Sequence, residues 1–222
     1  MRLKMTLVAA SALAALAFAA LPAIASASPT VDIEGSTHFT TTGGTSQLHT
    51  PSKTIHCQSN TGTGNFASDS GSTGTIKLTF HGCTTKVFGF PINCTTPGQS
   101  SGTITTTELE FHVMKNGGEP VLLITSNEGH FATFSCAGVH VEVTGNGIIG
   151  AITNPGYEEA SESFTLNFAE AGGGQALTTT DETGETEWEL ESSTEGGAPE
   201  EAWEVAEGTG TLTEGGMATL TK

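Results

Sequence analysis

Two glycine-containing motifs carry residue types found in active sites and cofactor sites. Residues 98–102 read Gly-x-Ser-x-Gly, the pattern of a hydrolase nucleophile elbow, which needs a helix after the serine. Residues 145–150 match the dinucleotide fingerprint, whose phosphate site also needs a helix. Strand-like sequence follows both motifs. We therefore expect a polar turn around Ser100 and a hairpin at residues 145–150, and we assign no catalytic or cofactor-binding residue.

Acidic residues at alternate positions could supply the paired carboxylates of a glycoside hydrolase. Glu187, Glu189 and Glu191 would share one face of a strand, with neighbouring Cα atoms about 6.8 Å apart. Trp188 would point to the opposite face, so stacking aromatic rings are lacking there. The pattern favours a solvated acidic face, and Glu108 and Glu110 beside His112 repeat it on a smaller scale.

Metal binding is weakly indicated. The seven histidines include no His-x-His or His-x-x-x-His pair, so zinc or copper would need a site assembled by the tertiary fold. Residues 158–222 hold 16 of the 24 acidic residues, and their mutual repulsion favours weak, diffuse calcium binding. No calcium-binding loop motif occurs in the sequence. We assign no metal ligand and no cofactor beyond this weak calcium binding.

Four cysteines, Cys57, Cys83, Cys94 and Cys136, form an even set without a Cys-x-x-Cys pair. In an exported chain this predicts two disulfides rather than a zinc site. Cys57 and Cys136 each follow an apolar residue two positions earlier, so we expect both to face the core. The first pairing considered is Cys57 with Cys136 and Cys83 with Cys94. The second is Cys57 with Cys83 and Cys94 with Cys136, and the sequence leaves both open.

The N-terminus predicts export. Arg2 and Lys4 precede an apolar run rich in alanine and leucine, and Ala25 and Ala27 form an Ala-x-Ala cleavage site. Residues 1–27 are therefore predicted to be a cleaved signal peptide, with the mature protein starting at Ser28 and remaining extracellular. No later run is long and apolar enough for a transmembrane helix.

Charge excludes several partners. The chain has 24 acidic residues against 7 lysines and arginines, a net charge of −17. Removal of the signal peptide would leave five lysines and no arginine. Such a chain cannot build a basic groove for nucleic acid or adsorb to anionic lipid. We expect no nucleic-acid partner and no membrane insertion.

Strand patterns fill the rest of the chain. Alternation is clear around Leu109, Phe111 and Val113, and again around Val139 and Val141. Turn sequences at residues 116–118, 127–129 and 146–147 separate these runs. Residues 102–152 therefore predict a meander of five consecutive antiparallel strands.

These strands predict an all-β fold, an antiparallel β-sandwich or jelly-roll with two disulfides. A domain boundary near residues 154–156 is one possibility, because charge changes sharply there. We favour a single domain over residues 28–222, with residues 158–222 as an acidic C-terminal strand layer. In that layer Trp188, Leu190, Trp203 and Val205 would face inward, and the alternating glutamates, including Glu204, would face water.

Several segments carry a resemblance: LTFHGCTT, CTTPGQSSGTITTTELEFH, FATFSCAG and VTGNGIIGAI. They resemble a type of secreted, four-cysteine β protein of high-GC Gram-positive bacteria, over roughly residues 53–170. The resemblance implies secretion and a β-sandwich. It brings no catalytic residues to this chain.

Two functions remain. The first is a secreted, non-catalytic β-sandwich that acts as a structural or interaction module at the cell surface or in the medium. Its partner would be a cell-wall component, an extracellular protein or a glycan. The alternative is a secreted carbohydrate-binding module or glycoside hydrolase with a lectin-like sandwich, which would need a groove lined by Trp188 or Trp203 and two carboxylates.

Overall fold

The fold is described from a computed structural model, which covers residues 28–50, 52–184 and 186–222. The signal peptide predicted for residues 1–27 lies outside the described residues. Strands dominate, and the described residues include no α-helix. In this part of the chain, the only helical element is a single 3-10 turn, Thr213–Gly215.

Within the described residues, twenty-one strands follow one another along the chain. The first eleven are β1 Thr30–Glu34, β2 His38–His49, β3 Thr54–Cys57, β4 Ser59–Phe66, β5 Ser70–Gly71, β6 Thr73–His81, β7 Thr84–Val87, β8 Phe90–Thr95, β9 Ile104–Thr105, β10 Leu109–Asn116 and β11 Glu119–Ser126. The remaining ten are β12 Ala132–Cys136, β13 Val139–Gly145, β14 Ile148–Asn154, β15 Ala160–Ser161, β16 Ser163–Phe168, β17 Glu170–Ala171, β18 Gly174–Gln175, β19 Leu190–Thr194, β20 Glu200–Leu212 and β21 Met217–Thr221.

The largest sheet contains two hydrogen-bonded circuits of antiparallel strands. The first circuit runs β2, β4, β6, β10, β11, β14, β16, β20 and back to β2. The second circuit runs β2, β3, β7, β8, β12, β13, β19, β20 and back to β2. The long strands β2 and β20 belong to both circuits. The prediction of an antiparallel, sandwich-like all-β fold with two disulfides is confirmed.

The two circuits use different halves of the shared strands. The half of β2 at residues 38–43 pairs with β4, and the half at residues 46–49 pairs with β3. Likewise, residues 206–211 of β20 pair with β16, while residues 200–202 pair with β19. The circuits therefore follow one another along β2 and β20, and one hydrophobic core includes buried residues of both.

Four phenylalanines fill the interior of the first circuit: Phe39, Phe66, Phe111 and Phe164. All four lie directly opposite a glycine on a neighbouring strand: Phe39 opposite Gly64, Phe66 and Phe111 opposite Gly74, and Phe164 opposite Gly210. A Cβ atom at any of these glycines would overlap the facing ring. The glycines therefore provide the space in which the rings pack edge to face.

The predicted five-strand meander is partly wrong. All five strands, β10 to β14, are present, and β10–β11 and β12–β13 are hairpins. However, β11 pairs with β14, and β12 and β13 belong to the second circuit. Pairing between distant strands brings β14 back beside β11, and alternation within a strand does not specify its partner.

Residues 158–222 are hydrogen-bonded to earlier parts of the chain. β16 pairs with β14, β20 with β2, and β21 with β1. The pairing of β21 with β1 lies in a separate four-stranded sheet, in the order β15, β21, β1, β5. The single-domain organisation stays a prediction.

Candidate functional site

Both disulfides lie in the second circuit. They join Cys57 to Cys83 and Cys94 to Cys136, so two disulfides are confirmed and the first pairing considered, Cys57 with Cys136, is wrong. Strand adjacency explains the observed pairing, because β3 lies beside β7 and Cys94 is the cross-strand partner of Cys136. The expected burial of Cys57 and Cys136 is confirmed.

The β7–β8 hairpin carries the most exposed large apolar side chains of the described residues. Phe88 is 98% exposed and Phe90 is 71% exposed. Phe88 and Gly89 form the turn with φ angles of 51° and 85°. The hairpin tip, defined as residues 86–91, therefore presents two aromatic rings to solvent.

Each arm of this hairpin is anchored by a disulfide. Cys83 directly precedes β7 and Cys94 lies in β8, and both are fully buried. The backbone N–H of Cys94 also donates to the Cys83 carbonyl oxygen at 2.9 Å. The sequence reasoning did not identify this tip, although the apolar string Val-Phe-Gly-Phe at a turn is a usable signal.

A shallow cleft of about 330 Å³ lies between the β17–β18 turn and the segment before β19. Gln175, Trp188, Glu189 and Glu201 line it, together with backbone of residues 171–174. The side chain of Gln175 is fixed by two hydrogen bonds, donating to the Ala169 carbonyl oxygen and accepting from the Glu204 N–H. The cleft thus brings an indole and two carboxylates to one concave surface, the arrangement required by the carbohydrate alternative.

The glutamates at 187, 189 and 191 are positioned differently from the expectation of one strand face. β19 begins only at Leu190, and Glu187 and Glu189 precede it. There Asn146 accepts a hydrogen bond from the Glu189 N–H and donates one to the Glu187 carbonyl oxygen. Glu187 and Glu189 are exposed, as predicted, while Leu190 is buried.

Trp188 has a structural role in addition to lining the cleft. It is half-buried and packs on a small apolar cluster of Val121, Leu123 and Ile149. Its indole N–H donates to Thr183 Oγ1 at 3.3 Å. The ring is thereby held in place beside Glu189.

The glycine motifs lie in turns and connections. Ser100 is exposed in a turn, where its hydroxyl is 3.0 Å from that of Thr103, so the expected polar turn is confirmed. The hairpin expected at residues 145–150 is wrong, because Gly145 pairs with Leu190 of β19 and Ile148 pairs with Ile124 of β11. This segment is a crossover from the second circuit to the first.

Strand β10 shows the expected alternation around the smaller acidic pattern. Leu109, Phe111 and Val113 are buried, while Glu110 and His112 are only partly so. Within residues 28–50, 52–184 and 186–222, no group of three or more potential metal ligands is found. Weak calcium binding stays a prediction.

The orientation of β20 reverses the expectation for Trp203 and Glu204. Ala202 is buried and Glu204 lines a cavity, whereas Trp203 is half-buried and stacks on His49, with ring centroids 5.3 Å apart and planes 3° apart. The reversal follows from pairing with β2, where Trp203 lies opposite His49 and Glu204 opposite Leu48.

The inward position changes the acidity of Glu204. Its Oε1 atom is shielded from solvent and has no hydrogen-bond partner, although the residue as a whole is only half-buried. Burial raises the pKa of Glu204 to about 8, and a hydrogen bond with Ser46 offsets part of that rise. Glu204 is therefore mainly protonated at neutral pH.

No protein-family model, curated protein or solved structure matches this chain. Within the described residues, no helix is long and apolar enough to cross a membrane.

Proposed function

We propose that this protein is an exported, non-catalytic interaction module that acts at the cell surface or in the medium. In this proposal it contacts an apolar surface of a cell-wall component or extracellular protein through the hairpin tip. The observation that carries the proposal is the exposure of Phe88 and Phe90 on a turn held by two disulfides. We further propose that the chain belongs to the secreted four-cysteine type that it resembles.

Exposure of both rings is unfavourable unless a partner covers them. Burying a phenylalanine side chain is worth about 1.5 to 3 kcal/mol, and exposed apolar patches commonly mark interaction sites. Two aromatic side chains on a rigid turn lose little conformational entropy on binding. They therefore suit the role of anchor residues in an interface.

Charge around the tip also supports contact with a partner. Lys86 is the only charged residue between Thr84 and Thr95. The acidic residues are concentrated in residues 158–222, away from this hairpin in sequence. A partner that covers the two rings therefore does not have to bury a carboxylate of the β7–β8 hairpin.

Export is part of the same proposal. Two buried disulfides favour an oxidising compartment, in agreement with the Ala-x-Ala site at residues 25–27. N-terminal sequencing of material exported after expression of the full gene tests this point. A start at Ser28 is expected, and recovery of a chain that still begins at Met1 would contradict it.

The tip is tested by measuring how tightly the exported protein associates with intact cells of the producing organism and with proteins of its medium. Phe88→Ser with Phe90→Ser should weaken association at least about tenfold, without a change in unfolding midpoint, because both rings are exposed. Phe88→Leu with Phe90→Leu is the matched control and should retain most of the binding. Equal binding by the serine variant, or no association by the wild type, would refute the proposal.

A second candidate function rests on the cleft. Trp188, Glu189 and Glu201 on one concave surface favour recognition of a carbohydrate, by contact with the exposed part of the indole and by hydrogen bonds from sugar hydroxyls to the carboxylates. Calorimetric titration with cell-wall oligosaccharides, together with a reducing-end assay, separates binding from hydrolysis. Glu201→Gln should weaken binding if this candidate holds, and Glu200→Gln, at the exposed start of the same strand, is the control.

A further inference from the structure

A cavity of about 140 Å³ lies in the core where the two circuits meet. Its wall includes Ile76, Leu109 and Leu166 of the first circuit and Ile55, Phe134 and Leu190 of the second. These six side chains are all buried. The cavity is therefore a largely apolar space bordered by core side chains of both circuits.

One wall of this apolar space carries a carboxyl group. Glu204 lines the cavity from β20, and its Oε1 atom is buried without a hydrogen-bond partner. The hydroxyl oxygen of Thr41, which also lines the cavity, is likewise buried and unpartnered. A buried polar atom without a partner costs about 1 to 3 kcal/mol, so a partner supplied from within the cavity would be favourable.

We infer that this cavity binds a small, neutral, mainly apolar molecule carrying one hydroxyl or carbonyl group, which forms a hydrogen bond with the carboxyl group of Glu204. The volume sets the size of the ligand, because an apolar cavity of about 150 Å³ accommodates benzene. The ligand therefore has about six to eight non-hydrogen atoms.

The state of the carboxyl group fits a neutral ligand. Burial raises the pKa of Glu204 to about 8, so at neutral pH the group can both donate and accept a hydrogen bond. The apolar wall excludes a strongly hydrated or charged molecule, since burying an ion there would be costly. The inference concerns the core and is independent of the hairpin tip and the surface cleft.

Phenol and toluene form a matched probe pair, with the same number of non-hydrogen atoms and a hydroxyl in place of a methyl group. Affinities of both probes for the full exported protein are measured by methyl NMR titration. Shifts should be confined to cavity side chains such as Ile124, Ile148 and Leu166. No shift at these residues with either probe, up to its solubility, would overturn the inference.

Substitutions at Glu204 test the hydrogen bond. Glu204→Leu keeps the volume but removes the polar group, so the ratio of phenol to toluene affinity should fall by about tenfold or more. Glu204→Gln keeps a neutral hydrogen-bonding group and should preserve the ratio, as should Glu200→Leu at the exposed start of the same strand. An unchanged ratio in folded Glu204→Leu would overturn the role assigned to Glu204.

Discussion

The two circuits that share β2 and β20 are stabilised in different ways. The first contains four contacting phenylalanines, with ring centroids 5.1 to 6.3 Å apart, packed against glycines. The second contains both disulfides, and where it meets the first circuit, apolar residues of both border a cavity with a carboxyl group on its wall. Aromatic residues make up only 6% of the chain, and the phenylalanine cluster concentrates four of them in one circuit.

This difference separates two sources of stability. Packed rings stabilise the folded state directly through burial and dispersion. A disulfide acts mainly by restricting the unfolded chain, and its contribution grows with the length of the loop that it closes. The first circuit should therefore respond most to loss of volume and the second to loss of covalent links.

The largest expected effect is at the centre of the phenylalanine cluster. Phe111 is 1% exposed and contacts two other rings, so Phe111→Ala should lower the free energy of unfolding by about 4 to 5 kcal/mol. Urea denaturation provides the measurement. Phe90→Ala is the control and should cost little, because Phe90 is 71% exposed. Similar losses of unfolding free energy in Phe111→Ala and Phe90→Ala would contradict the stabilising role assigned to the phenylalanine cluster.

Removal of one disulfide should lower the free energy of unfolding slightly less, by an amount that depends on the length of the loop that the disulfide closes. Cys94 and Cys136 are 42 residues apart, and Cys57 and Cys83 are 26 apart. Alanine replacement of the first pair should cost about 4 kcal/mol and of the second about 3.5 kcal/mol. Mass spectrometry of peptides from the unreduced protein checks the pairing itself. A peptide linking Cys57 to Cys136 would contradict the observed fold.

Local sequence patterns predicted strands and turns better than they predicted strand partners. The alternation of Leu109, Phe111 and Val113 and the turn at residues 116–118 led to the correct β10–β11 hairpin. The same reasoning could not place β14 beside β11, because that pairing depends on contacts between distant segments. The disulfide pairing has the same dependence, because the strand order places Cys57 near Cys83 and Cys94 beside Cys136.

Sequence patterns also do not specify which side chains of a strand face the core. Polarity favours Trp203 inside and Glu204 outside. However, a shift of one residue in strand register moves every side chain of the strand to the opposite face of the sheet. Ala206, two residues after Glu204, also lines the cavity, and its small side chain leaves room there for that of Glu204. Trp188 and Glu189 were identified as candidates from sequence, whereas Glu201 and Gln175 join them only through folding.

Glu204 should make the protein less stable as pH rises. Its folded-state pKa of about 8 exceeds the ordinary glutamate pKa of 4.5, so the folded state binds more protons than the unfolded state between these two pH values. The associated stability is fully present below pH 4.5 and is lost as pH rises towards 8. Glu204→Gln should remove this dependence and be more stable than the wild type by about 2 to 3 kcal/mol at pH 7.

The measurement is the difference in unfolding free energy between the wild type and Glu204→Gln from pH 4 to pH 9. The difference should be small at pH 4 and should widen up to about pH 8. Glu200→Gln, at the exposed start of β20, should follow the wild type throughout. Parallel profiles for the wild type and Glu204→Gln would show that Glu204 is ionised and solvated in the folded protein.

Trp203 should have the smallest effect, because the observed orientation leaves it half-buried on the outer face. Its main aromatic contact is the parallel stack on His49, and its buried indole N–H has no hydrogen-bond partner. Trp203→Ala should therefore cost about 1 to 2 kcal/mol, less than the 3 to 5 kcal/mol expected for a core tryptophan.

Leu190→Ala, on the inward face of β19, is the comparison and should cost about 2 to 4 kcal/mol. A double-mutant cycle with His49→Ala should give a coupling of about 0.5 to 1 kcal/mol. If Trp203→Ala cost more than Leu190→Ala, β20 would have to present Trp203 to the core and Glu204 to water, and the cavity would lose its carboxyl group.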